Sequence, residues 1–208
     1  MTPSVSNSNL IGNPLCLDFT NTVAWRFGPR RRELLNSYTD MVTWGRHAGI
    51  LTEETAGQLT KAAGQQPAEA EQVLRRALRL RAALDAIFRS LVQLSAVHAK
   101  DLRTLNREAE TAYRRLRLVQ DGGRLTWTWV DCDRLDSLLG PIVRSAADLL
   151  TSPLVGRVRE CQAAQCGWLF LDTSKNRSRK WCQMSDCGNR AKARRHHARA
   201  RRSPGRHP

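Results

Sequence analysis

The chain has no apolar stretch close to the roughly 20 residues that a membrane-spanning helix needs, because its longest apolar runs are much shorter. Its amino terminus lacks the basic segment followed by an apolar segment that is typical of a secretion signal. These two absences predict a cytoplasmic protein with no membrane partner.

Catalytic patterns are also missing. The sequence has no Walker-type glycine loop, no internal repeat and no evident Ser/His/Asp or Cys/His arrangement. Its five histidines do not form a metal-ligand pattern with nearby acidic residues. We therefore expect a binding protein and not an enzyme.

Acidic residues are scarce in the last part of the chain. Residues 174–208 contain twelve Lys and Arg residues but one acidic residue, a formal charge of +11 out of +15 for the whole chain. The preceding 173 residues contain 22 Lys and Arg and 18 Asp and Glu, a charge of +4 that is ordinary for a soluble domain. This asymmetry indicates a polyanionic partner for the basic segment.

Four of the six cysteines form two equally spaced pairs that are separated by fifteen residues. Zinc binds four such soft ligands at about 2.3 Å, and in a reducing cytoplasm paired cysteines are more often metal ligands than disulfides. Four thiolates leave no open position for water, so the predicted zinc ion is structural. The predicted ligands are Cys161, Cys166, Cys182 and Cys187. Cys16 and Cys132 stand alone and are expected in the core.

The residues between and after the cysteine pairs predict a small module around the metal. Residues 167–172 are predicted to form a strand, residues 173–178 a polar turn, and residues 179–182 the returning strand of a hairpin. The second cysteine pair would then lie at the start of a basic helix, in a treble-clef-like order. Asp172 and Asn189 adjoin turns and are predicted to bond backbone groups, and the alternative for Asp172 is that it holds an arginine in place.

Before the cysteines the chain is predicted to be mainly helical, because apolar residues recur with a 3.6-residue period after several helix-starting positions. These positions are Ser37, Thr52, Pro67, Asp101 and Asp133, and Pro141 would kink the last helix or start its second half. Apolar and polar residues alternate over residues 116–130 on both sides of Asp121-Gly122-Gly123, which predicts a two-stranded antiparallel ribbon. Its Trp127 and Trp129 could stack on bases, but packing against helices is favoured.

The predicted fold class is therefore mainly α (α+β). A helical domain with a small antiparallel β-ribbon is followed by a treble-clef-like four-cysteine zinc module that ends in a basic helix.

Basic residues near the predicted metal are candidates for nucleic-acid contact, because a rigid cationic surface attracts phosphates. The later arginines recur at spacings of three or four, so a helix would group several of them, and one or two could pair with guanine edges in DNA. The candidates are Lys175, Asn176, Arg177, Arg179, Lys180, Arg190, Lys192, Arg194 and Arg195. Residues 199–208 are predicted to be a nonspecific anchor, and RNA is the alternative partner.

Two motifs resemble known families. Cys161, Cys166, the segment 167–182 and Cys-Gly-Asn-Arg at 187–190 resemble the CGNR zinc-finger family over residues 154–202. Leu-Cys-Leu-Asp-Phe-Thr-Asn-Thr at 15–22 resembles the ABATE domain, which precedes this finger in many bacterial stress-induced transcription regulators. The resemblance implies DNA binding and regulation. The expected divisions are a flexible start at 1–9, an ABATE-like domain at 10–153, the finger at 154–202 and a flexible tail at 203–208.

Four hydrogen-bonding side chains follow the first apolar segment, namely Asp18, Asn21, Thr22 and Arg26. They could line a ligand pocket with Trp25 and Trp44, or they could cap and fix a turn, which is slightly favoured. A helical domain before a nucleic-acid module often senses a small-molecule effector or forms a homodimer. The remaining alternative is a ligand-sensing or protein-interaction module with only nonspecific nucleic-acid attraction.

Overall fold

The computed structural model describes residues 10, 11 and 13–202, with side chains described as far as residue 197. The α-helices are α1 (Leu15–Thr20), α2 (Tyr38–His47), α3 (Glu53–Gln65), α4 (Pro67–Val92), α5 (Ala99–Tyr113), α6 (Leu139–Leu150) and α7 (Asn189–Arg202). The strands are β1 (Val23–Ala24), β2 (Arg32–Glu33), β3 (Leu116–Asp121), β4 (Arg124–Trp129), β5 (Val158–Glu160) and β6 (Leu169–Leu171).

A 3-10 helix (Pro153–Arg157) and a π-helical turn (Met184–Gly188) complete the described part of the chain. The strands form three antiparallel pairs, β1 with β2, β3 with β4 and β5 with β6. This architecture confirms the mainly helical prediction. The flexible ends predicted at residues 1–9 and 203–208 lie outside the described residues.

The helices begin where local chemistry satisfies their first amide groups. At α2, the Ser37 hydroxyl accepts a bond from the Asp40 amide at 3.0 Å, and the Asp40 carboxylate accepts one from the Ser37 amide at 3.0 Å. At α3 the Thr52 hydroxyl accepts a bond from the Thr55 amide at 3.1 Å, and Pro67 begins α4, where no amide donor is required. These starts confirm the predicted caps.

Helix α4 forms the centre of the main core. Its buried residues recur with helical period, and α1, α2, α3 and α5 pack around it. The rings of Phe19 and Trp44 meet there at 5.3 Å between centroids. Burying such side chains contributes about 1.5–3 kcal/mol each. No helix in the described part of the chain has the length and apolar character to cross a bilayer.

The predicted ribbon is present as β3 and β4, joined by Gly122 and Gly123, which both have positive φ. Its two tryptophans differ in environment. Trp129 packs so closely on Gly140 that a Cβ atom there would lie 2.9 Å from the ring, whereas Trp127 is 52% exposed. The packing interpretation is therefore confirmed for Trp129 but not for Trp127.

The last helix of this part begins later than predicted, at Leu139 and not at Asp133. The Asp136 carboxylate accepts a hydrogen bond from Arg76 of α4 at 3.1 Å, which holds the preceding segment in turns against the core. Pro141 lies in the first turn of α6, so it starts this helix and does not kink it.

Strand β6 does not pair with residues 179–182, so the predicted hairpin is wrong. It pairs with β5 on one edge, and asparagine side chains occupy its other edge. Asn21 donates to the Leu169 carbonyl at 2.8 Å and accepts from the Leu169 amide at 3.0 Å, and Asn13 accepts from the Leu171 amide at 3.1 Å. These bonds satisfy the groups that a returning strand would need.

Asp18 supports this arrangement because its carboxyl accepts a hydrogen bond from Asn13 at 3.2 Å. Burial raises the pKa of Asp18 to about 7. The folded protein therefore binds this proton more tightly than the unfolded chain does. The resulting stabilisation is present in acid and is lost as the pH rises through about 7.

Replacing Asp18 with Asn should remove this pH dependence, because an amide keeps the hydrogen bond to Asn13 without ionising. The free energy of unfolding of the variant, minus that of the unaltered protein, should be about 2 kcal/mol larger at pH 8 than at pH 5. Urea unfolding followed by circular dichroism at both pH values measures the difference. The exposed Asp148→Asn is the control, and an equal pH effect in both variants would refute the assignment to Asp18.

Candidate metal centre and nucleic-acid interface

Four cysteines from different segments converge beside β5 and β6. Cys161 directly follows β5 and Cys166 lies in the turn before β6. Cys182 lies in the loop after β6, and Cys187 lies in the π-helical turn that leads into α7. All four side chains are buried, and their sulfur atoms lie within 4.8 Å of one another.

The distances between the sulfur atoms fit a tetrahedral metal ion. Zn–S bonds of about 2.3 Å place sulfur atoms about 3.8 Å apart at the corners of a tetrahedron. The Cys182 sulfur lies 3.7 Å from that of Cys166 and 3.6 Å from that of Cys187. Hydrogen bonds from the other three thiols hold the pKa of Cys161 below its usual range. The cluster is therefore a metal site, and its soft ligands suit zinc.

The other two cysteines take no part in this cluster. Cys16 is buried in the main core, as predicted, and burial raises its pKa to about 12. Cys132 was expected in the core but is exposed after β4. The prediction failed because residues 131–134 form an exposed turn and not the start of a packed helix.

Gly188 and Asn189 shape the turn that carries the fourth ligand. A Cβ atom at Gly188 would lie 2.3 Å from the sulfur of Met184 and 3.2 Å from Trp181, so a larger residue would force these side chains to shift. The Asn189 side chain donates to the Ser185 carbonyl at 3.0 Å. The predicted structural role of Asn189 fits this bond.

Arg190 connects the metal centre to the helical domain. Its guanidinium donates to the Cys187 sulfur at 3.1 Å, pairs with Asp186 at 3.2 Å and lies 4.0 Å from the centre of the Trp25 ring. These contacts stabilise the thiolate of Cys187 and engage the Arg190 guanidinium within the protein. Although Arg190 was predicted to contact nucleic acid, its contacts lie within the protein.

Arg179 is occupied in a similar way. Its guanidinium donates to the carbonyls of Trp181, at 2.9 Å, and Cys182, and it lies 4.8 Å from the centre of the Phe170 ring. The carboxylate of Asp172 accepts from the Arg179 amide at 3.1 Å and so closes the intervening loop. Arg179 therefore supports the metal loop from within.

The other candidates remain at the surface. Within the described part of the chain, no acceptor bonds the side chains of Lys175, Asn176, Arg177, Lys180, Lys192 or Arg194, all of which are exposed. Among the described residues, the Arg195 side chain bonds the Ala191 carbonyl of its own helix. A groove of about 550 Å³ brings three cations together beside Trp181. These three are Lys180, Arg194 and Arg195. The side chains of the predicted anchor at 199–208 lie outside the described residues.

Comparison with known families agrees with both motifs. The profile of the ABATE family, described as "Putative stress-induced transcription regulator", matches residues 13–153, well over half of the chain. The chain belongs to the ABATE family. The profile of the CGNR zinc finger matches residues 157–200. No curated protein matches the sequence.

Within the ABATE domain, the four residues of the predicted ligand pocket bond to protein groups. Beyond the Asn13–Asp18 and Asn21–Leu169 bonds, Thr22 accepts from Arg81 at 2.8 Å, and Arg26 bonds Asp85 at 3.1 Å. The turn-fixing interpretation accounts for these contacts. None of the four lines the groove beside Trp181 or the cavity in the ABATE domain described below. A pocket at these residues stays a prediction.

Sequence reasoning missed several contacts between the ABATE domain and the CGNR finger. The Trp168 indole donates to the Val23 carbonyl at 2.9 Å, and Arg89 of α4 pairs with Glu160 at 2.9 Å and donates to the Gly167 carbonyl. Asn13 and Trp25 are the other missed residues. Only Asn13, beside Pro14, carried a local signal, that of a turn.

Replacing Cys182 with Ser should abolish metal binding and unfold the residues after β6, because metal binding supplies the folding energy of such a module. Most helical signal should remain, since β5 and β6 pack on the ABATE core. Metal analysis and circular dichroism measure both effects. Cys132→Ser is the matched control, and full metal content in both variants would contradict the assigned site.

Replacing Arg190 with Gln should weaken metal binding by about tenfold, because groups that bond a metal ligand tune its affinity. Competition with a chromogenic chelator measures this affinity. Arg194→Gln, one turn later on the same helix, provides the control and should leave it unchanged. Equal losses in the two variants would indicate a general charge effect and not the bond to Cys187.

Proposed function

We propose that this chain is a cytoplasmic bacterial regulator of transcription in the stress response, which binds duplex DNA through its CGNR finger. The observation that carries the proposal is the groove next to the metal centre at which Lys180, Arg194 and Arg195 converge, none of them paired with an acidic residue in the described part of the chain. The family description supports the regulatory part.

In this proposal the metal is zinc, held by Cys161, Cys166, Cys182 and Cys187. Four thiolates would fill its coordination shell, so zinc would supply folding energy and no Lewis-acid chemistry. The proposed activity is accordingly binding and not catalysis. The thiolates and Arg190 would fix the start of α7 relative to the preceding loop.

The exposed cations would contact the DNA backbone through counterion release, which supplies affinity without sequence preference. Sequence preference needs side chains that reach base edges. Arg194 and Lys192 lie on the exposed part of α7, and an arginine that enters the major groove can pair with guanine in bidentate fashion. The loop bearing Lys175, Asn176 and Arg177 would flank this contact.

The ABATE domain would regulate this binding by sensing a small-molecule effector or by forming a homodimer. Its contacts with the finger support such a role, because Asn21 and Trp25 both belong to the ABATE domain and both touch the finger. A change in the ABATE core would therefore reach the DNA-binding surface through bonded groups.

Replacing both Lys180 and Arg194 with Gln should weaken binding to a labelled DNA duplex and lower the slope of log affinity against log salt by about 2, near 0.9 for each lost phosphate contact. Fluorescence anisotropy over a salt series measures both quantities. Arg103→Gln with Arg107→Gln removes the same charge from α5 and should leave the slope unchanged. Equal slopes in both double variants would contradict the proposed interface.

The same assay separates sequence-specific regulation from general attraction. Competition among duplexes of different sequence at physiological salt should reveal a preferred sequence. Equal competition by every duplex would rule out sequence-specific binding and leave the nonspecific alternative.

Single-stranded RNA is a second candidate, favoured by one observation. Trp181 is half-buried and lines the cationic groove, where it could stack on an unpaired base. Trp168 is also half-buried, but its indole bonds the Val23 carbonyl and it does not line this groove. Stronger binding of single-stranded RNA than of duplex DNA, lost in Trp181→Ala, would favour RNA over DNA.

A further inference from the structure

A cavity of about 240 Å³ lies in the ABATE domain, away from the finger. Its walls come from α4, α5, the start of α3 and the segment that joins β4 to α6. None of the residues used so far to explain the metal centre or the basic groove lines it.

One wall of the cavity is formed by ion pairs between two arginines and two carboxylates. Arg76 bonds Glu108 at 2.8 Å and Asp136 at 3.1 Å, and Arg115 bonds Asp136 at 2.6 Å. The hydrogen bond to Glu108 raises the pKa of Arg76. Arg134 also lies 3.6 Å from Asp136, but it is exposed and does not line the cavity. Within the lining, two guanidinium groups therefore balance two buried carboxylates. A charged ligand would have to break one of these pairs, which is costly in a buried site.

Among the lining residues in the described part of the chain, Ser137 has a buried hydroxyl without a hydrogen-bond partner. Buried hydroxyls are usually hydrogen-bonded, and leaving one unpaired is unfavourable. The oxygen has almost no surface open to the cavity, so the Ser137 side chain would have to rotate about χ1 for a ligand with one donor or acceptor to satisfy it.

The rest of the lining is largely apolar. Leu51, Trp129, Leu139 and Pro141 form walls that can pack against a flat hydrocarbon ring. A cavity of roughly 150 Å³ in another protein accepts benzene, so a larger one has room for a second ring. The volume of the cavity, the charge balance of its ion pairs and its largely apolar lining therefore all favour a small, uncharged, apolar molecule.

We propose that this cavity binds an uncharged aromatic molecule of one or two rings that carries a single hydrogen-bonding group, with Ser137 as its polar partner. This inference rests on the effector role proposed for the ABATE domain and gives that role a place and a chemical class. Binding is measured without DNA, so its failure and a failure of DNA binding are distinguishable.

Indole and indene are suitable probes, because they have nearly the same shape but only indole has an N–H donor. Titration of the full chain with indole should show saturable binding. Calorimetry and the side-chain N–H signal of Trp129 in NMR spectra both measure this binding. Ser137→Ala should weaken indole binding by about tenfold and leave indene binding unchanged.

A cavity-filling pair of variants tests the location. Thr111 of α5 lines the cavity, so Thr111→Phe should abolish indole binding. Thr104 lies two turns earlier and, like Thr111, donates its hydroxyl to the carbonyl four residues before it, but it is not part of the lining. Thr104→Phe should therefore bind indole normally, and circular dichroism should show both variants folded.

Two results would overturn the proposal. The first is the absence of saturable indole binding to the folded, unaltered protein at millimolar concentration. The second is binding that survives Thr111→Phe in a folded variant, because the probe would then occupy another place.

Discussion

The described structure depends on the alternation of side chains along the three residues of β6. Leu169 and Leu171 point into the main core of the ABATE domain, whereas Phe170 points into the small core around the four cysteines. Successive side chains of a strand face opposite sides, so one short strand must belong to both cores at once. The metal module is therefore attached to the helical domain by a buried strand and not by a linker.

The edges of β6 explain why the two parts meet in one way. β5 occupies one edge, and the side chains of Asn13 and Asn21 bond the other as a neighbouring strand would. At the metal, Arg190 bonds Cys187 and stacks on Trp25. The Asn of the first motif and the Arg of the second thus each serve the interface between the two domains.

Features set by neighbours in sequence were predictable. The Ser37–Asp40 capping box, the start at Pro67, the Gly122–Gly123 turn and the metal ligands all follow from spacing that the chain alone displays. The side chains that bond the edge of β6 were not predictable, because Asn21 lies 148 residues from Leu169. The start of α6 also depended on a distant group, Arg76. Arg179 and Arg190 resembled surface cations because charge says nothing about the carbonyls, rings and sulfur that surround them.

The contacts between the ABATE domain and the CGNR finger limit how freely the finger can be exchanged in evolution or in engineering. A CGNR segment moved to another scaffold would leave behind the two asparagines that bond β6 and the tryptophan beneath Arg190. Its Leu169 and Leu171 would be exposed to water, and an open strand edge invites pairing with other chains. Transplants should therefore carry residues 13–25, which include both asparagines and Trp25, so the smallest exchangeable unit is discontinuous in sequence.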